Sequence, residues 1–73
     1  MTVEQLVQER DTALLSLDKS RICVFMRTWG IPVPQDDGAF WTIVRDALIE
    51  IGAPWRIVQS AEIRRRYAGG ERR

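Results

Sequence analysis

The residues that could do chemistry in this chain are few. Its 73 positions hold no histidine and one cysteine, Cys23, so neither a zinc site nor a Cys–His pair can be assembled. Ser16, Ser20 and Ser60 have no imidazole to activate them, and neither standard Gly-rich phosphate loop is present. Carboxylates are the remaining option. Asp46 and Glu50 stand four apart, on one face of a helix, where a pair can hold magnesium. Asp36 and Asp37 could add ligands, but they read more simply as helix caps, and Asp46 with Glu50 as a wet face. No catalytic, cofactor-binding or metal residue is assigned. The expectation is a protein without catalysis.

Arginines offer a second kind of chemistry. Residues 1–52 carry a net −3 and residues 53–73 a net +4, within a total of +1. A basic end suits either nucleic acid or an acidic partner, and it is also what a solvated helix end looks like. Residues 47–66 can be laid on a helix-turn-helix with Gly52 at the turn. Arg56, Gln59, Arg64, Arg65 and Arg66 would then face DNA. Against that stand Leu48, bulky where two crossing helices want a small side chain, and Pro54-Trp55 where phosphates should approach.

The large apolar residues carry the opposite pair of readings. Trp29, Trp41 and Trp55 are either core or, together with Ile43 and Ile49, anchors in a partner surface, where tryptophan is enriched. Two wide apolar faces on so short a chain also predict a homodimer, because a small domain buries only about 60% of its unfolded surface.

Four helices must position these groups. Thr2 with Gln5 fits a capping box opening helix 1, about 3–16, with Val3, Leu6, Val7, Leu14 and Leu17 on one face. Asp18 caps helix 2, about 19–29, whose stripe Ile22, Phe25, Met26 and Trp29 is widened by Cys23 and Val24. That makes helix 2 the expected most buried element. Gly30 then closes the helix, and Ile31-Pro32-Val33-Pro34 runs extended. Asp36 or Asp37 caps helix 3, about 37–51, with Phe40, Trp41, Val44, Ala47, Leu48 and Ile51 inward and Ile43 and Ile49 forming a second buried surface. Gly52 ends it. Helix 4, about 54–68, carries Trp55, Val58, Ala61 and, as a further candidate, Tyr67 on its inward stripe, and Gly69-Gly70 releases a flexible charged tail. The fold expected is all-α, a compact bundle of four short helices in a single domain, residues 1–68.

No apolar run approaches the roughly 20 residues of a membrane span and no signal peptide opens the chain, so a cytoplasmic setting is expected.

Ala13-Leu14-Leu15-Ser16-Leu17-Asp18-Lys19, the turn Gly30-Ile31-Pro32-Val33-Pro34, Asp36-Asp37 and Phe40-Trp41 followed by Val44 form one pattern. It resembles that of small uncharacterised phage- and prophage-encoded helical proteins, across about residues 10–51. Such proteins often carry His-Lys where this chain has Arg45-Asp46, and the group brings no reaction and no functional residue. The resemblance implies a non-enzymatic accessory protein that binds a host or phage protein and can inhibit a host or defence protein. The helix-turn-helix DNA binder is the alternative, and a capsid or packaging accessory subunit shares the same composition.

Overall fold

The computed structural model describes residues 2–70, and it is all-α. Four helices follow in order: α1 Val3–Ser16, α2 Lys19–Thr28, α3 Asp37–Glu50 and α4 Trp55–Gly70. The chain divides between Val33 and Pro34 into two compact units, α1 with α2 and α3 with α4.

Local chemistry sets the helix ends. The Thr2 hydroxyl accepts from the Gln5 amide at 3.2 Å, the Asp18 carboxylate from Ser20 at 2.9 Å, and the Asp36 carboxylate from Ala39 at 2.9 Å. Each satisfies an amide that the first helical turn leaves without a carbonyl. Asp36, rather than Asp37, therefore caps α3.

Helices α2 and α3 end in the same way. Gly30 has φ 71° and Gly52 φ 74°. The Ile31 amide donates to Met26 at 2.7 Å and the Gly30 amide to Arg27 at 3.2 Å; Ala53 to Leu48 at 3.0 Å and Gly52 to Ile49 at 3.1 Å repeat the pattern. Both are Schellman closures. A Cβ at Gly30 would meet nothing within 4 Å, so only the left-handed backbone opposes a side chain there. Gly30→Ala is expected to cost about 1 kcal/mol, the left-handed penalty less the gain from a stiffer unfolded chain. A urea midpoint at or above that of the parent would contradict the assignment.

The first unit is thinner than its sequence pattern implies. Ala13, Leu14, Ile22 and Met26 are buried, but Val3 and Val7 are exposed and Leu6 is half-buried. Residues of α1 from Gln5 to Ala13 face those of α2 from Thr28 back to Ser20 along one groove. At 1.5 Å per residue, the 14-residue α1 outruns the 10-residue α2 by roughly one turn, so Val3, ahead of Gln5, has no partner helix. Val7 lies within the facing stretch but does not line the groove. Leu17, between the two, takes the left-handed φ of 54° that a glycine would adopt more cheaply. The Ser16 hydroxyl, donating to the Ala13 carbonyl at 2.6 Å and accepting from the Asp18 amide at 3.1 Å, braces that break.

The second unit holds the larger core. Phe40, Trp41, Val44 and Leu48 of α3 and Val58 and Ala61 of α4 are buried. Phe40 and Trp41 meet edge-to-face with centroids 5.0 Å apart, a geometry that the ring quadrupoles favour. Helix α3, not α2, is thus the most buried element: it has four buried residues, whereas α2 has two, Ile22 and Met26. Val24 is exposed and Cys23 half-buried, so the widened face expected for α2 stays largely open.

Two further expectations are corrected. Trp55 does not turn inward but is 72% exposed, and Ile43 and Ile49 lie at the surface rather than in a second buried layer. Helix α4 also continues through both glycines to Gly70 instead of stopping before Gly69; glycine weakens a helix by about 1 kcal/mol per residue without forbidding it. Residues 71–73 of the expected tail lie outside the described residues.

Candidate partner-binding surface

Helices α3 and α4 form an antiparallel hairpin, and two side-chain pairs fix its geometry. Near the turn, Arg45 of α3 reaches Glu62 of α4 at 2.7 Å. Farther out, the Arg64 guanidinium lies over the Trp41 ring, 5.4 Å from its centroid. Trp41 stands roughly 16 Å along α3 from Gly52, and Arg64 about 14 Å along α4 from Trp55. Helices crossing at the 90–120° of a helix-turn-helix would hold two such positions more than about 20 Å apart. Residues 47–66 therefore form a side-by-side antiparallel hairpin rather than two helices crossing at a wide angle.

Three of the arginines proposed for DNA make contacts within this hairpin. Arg64 covers Trp41, and its Nη1 also donates to the Ser60 carbonyl at 3.3 Å. Arg65 donates to Glu62 from Nε at 2.9 Å and again from a terminal nitrogen, and Arg66 donates from Nε at 3.0 Å. Arg56 and Gln59 remain exposed on α4.

Glu62 is the centre of this arrangement. Three guanidiniums share its carboxylate, and Arg45 also binds Asp46 at 2.9 Å. Hydrogen bonds from Arg65, then from Arg45, hold the Glu62 carboxyl far below its ordinary value of 4.5. A group whose folded value is depressed adds stability above its unfolded value and loses it as pH falls. The contribution of Glu62 should thus be complete above about pH 4.5 and shrink steadily below it. Glu62→Gln is expected to lower the urea midpoint at pH 7, with the gap to the parent narrowing from pH 4.5 downward. A gap independent of pH would show that the carboxylate charge is not what the arginines stabilise.

Beside this cluster lies a groove of about 350 Å³, with Ile49 from α3 and Trp55, Val58, Gln59 and Ile63 from α4 forming one part and Arg45, Glu62 and Arg66 the other. Trp55, Ile49 and Ile63 are 72%, 56% and 44% exposed. Of the five residues expected in a partner surface, the structure brings Ile49 and Trp55 together here. Ile43, though exposed, is not part of the groove. Trp41 leaves the set because it is buried under Arg64 and against Phe40. Trp29 is half-buried beside Phe25, and its buried Nε1 has no hydrogen-bond partner among the described residues.

Sequence reasoning missed Ile63 and Arg45. The signal for Ile63 was available, since Trp55, Gln59 and Ile63 repeat every four residues along one helical stripe. Arg45 becomes part of the site only through its contact with α4, which no spacing announces.

A larger groove, about 660 Å³, runs between α1 and α2, with Gln5, Gln8, Glu9 and Thr12 facing Ser20, Arg21 and Thr28 around Val24 and Phe25. Most of its lining residues are of polar type, although its exposed wall is mainly apolar, and it holds no tryptophan. Among the described residues no cluster of three or more His, Cys, Asp or Glu could hold a metal. Asp46 is engaged by Arg45, and Asp36 caps α3. No described helix is long and apolar enough to cross a membrane.

No protein-family model matches this chain, no curated protein matches it in sequence, and no solved structure matches it.

Proposed function

We propose that this chain is a non-catalytic module that binds another protein through the groove flank of α3 and α4. The observation that carries the reading is the exposure of Trp55 with Ile49 and Ile63 in one groove that Arg45, Glu62 and Arg66 also line. An apolar centre with a polar rim is how protein interfaces are built, and an aromatic anchor is their commonest source of binding energy. Scattered single apolar residues on a surface mean little; three lining one groove mean more. The resemblance to phage accessory proteins extends the proposal to a partner in a bacterial host, bound so as to redirect or inhibit it.

A photo-crosslinking residue at Gln59, in the groove, tests this against one at Ala39, exposed on α3 outside it. In bacterial cells the first should give a discrete protein adduct that Ile63→Ser removes, and the second should not. Equal adducts from both positions, indifferent to Ile63, would sink the proposal.

A further inference from the structure

The chemistry of the groove also selects its occupant. Its apolar part, Ile49, Trp55 and Ile63, suits the apolar stripe of an amphipathic helix, which reads as anchors at i, i+3 or i+4 and i+7. Its charged part has donors in surplus. Along the described part of α4, four arginines accompany a single acidic residue, Glu62. That carboxylate is already shared by Arg45, Arg65 and Arg66. Arg66 has a highly exposed side chain and spends only its Nε, so its terminal nitrogens donate to nothing among the described residues. Arg56, next to Trp55, is exposed and makes no ion pair among the described residues. The one carboxylate that lines the groove, Glu62, is already shared, while guanidinium N–H groups of Arg66 and Arg56 are left over.

Resting on the protein-binding reading above, we propose that the groove takes an acidic amphipathic segment of another protein, its apolar stripe on Trp55, Ile49 and Ile63 and its carboxylates on Arg66 and Arg56. Carboxylates match the planar fork of arginine in pairs of parallel hydrogen bonds. A second copy of this chain fits less well, because a two-fold axis through the groove sets the same arginines against each other. Nucleic acid would supply acceptors too, but it would leave Ile49 and Ile63 without an apolar counterpart.

Labelled helical peptides of about 18 residues, with one leucine stripe and flanks of Glu, Gln or Lys, test this by fluorescence anisotropy. The Glu peptide should bind about tenfold or more tightly than the Lys peptide. The difference should shrink as salt rises from about 50 to 500 mM. Arg66→Gln should narrow it, and Ile63→Ser should remove binding of every peptide while circular dichroism is unchanged. Equal binding of all three peptides, still lost with Ile63→Ser, would overturn the acidic preference and leave the protein-binding reading standing. Binding of none would overturn the amphipathic occupant, and the crosslinking test would then decide the broader reading alone. A DNA oligonucleotide, single- or double-stranded, that displaces the Glu peptide at equal concentration would overturn the proposal in favour of nucleic acid.

Discussion

Phe40→Ala is expected to cost about 3–5 kcal/mol and to leave little folded protein at 25 °C. Three observations set that size. The ring is 1% exposed, so its whole apolar surface is removed from water. It meets Trp41 edge-to-face, an arrangement worth about 0.5–1.5 kcal/mol beyond burial. It also sits in the first turn of α3, directly after the Asp36 cap, where the unit's core begins. A chain of this length has a total stability on the order of 4–11 kcal/mol, so the loss is a large share of all there is. Urea titration followed by far-UV circular dichroism reads it. A midpoint near that of the parent would mean that the core closes around the missing ring, and that Phe40 is not its centre.

The fold was legible where its causes are local. Thr2, Asp18 and Asp36 announce helix starts because a short polar side chain reaches an amide two or three residues on. Gly30 and Gly52 announce helix ends because the closing residue must be left-handed. Leu17 escaped notice as a left-handed residue, since nothing in a leucine's type advertises that conformation; only the flanking Ser16 and Asp18 marked the break. Burial was less legible, because it depends on what lies opposite. The stripe of α1 is apolar at Val3 and Val7, yet α2 ends too soon to cover Val3, and Val7 stays exposed although α2 runs opposite that stretch.

Trp55 shows the same limit more sharply. Its spacing to Val58 fits an inward stripe, and large rings at helical spacing usually pack inside. The buried side of α4 is instead set by Val58 and Ala61, which places Trp55 at the margin of that face, in the first turn after Pro54. Glu62 was visible as a partner of Arg66 four residues on, but not as the carboxylate shared by three arginines, one of them on the other helix.

The close approach of α3 and α4 rests on Ala61, and Ala61→Leu is expected to cost about 1–3 kcal/mol. Ala61 is fully buried, as is Leu48 of α3, so the helix contact has no room at this position for three more carbons. Leucine is nearly as good a helix former as alanine, so propensity would account for only a few tenths of a kcal/mol at most. The cost must therefore come from packing: either α4 moves away from α3 or side chains leave their rotamers. Moving α4 outward would also lengthen the reach of Arg45 to Glu62 and of Arg64 to Trp41, the two contacts that hold the helices side by side. The control is Ala39→Leu, the same chemical change at an exposed position of α3, which should stay within about 0.5 kcal/mol of the parent. Because Trp41 is the ring under Arg64, its near-UV circular dichroism should change in the Ala61 variant and not in the Ala39 variant. Equal urea midpoints for the two variants would mean that Ala61 does not set the spacing, and the side-by-side hairpin would lose its main structural support.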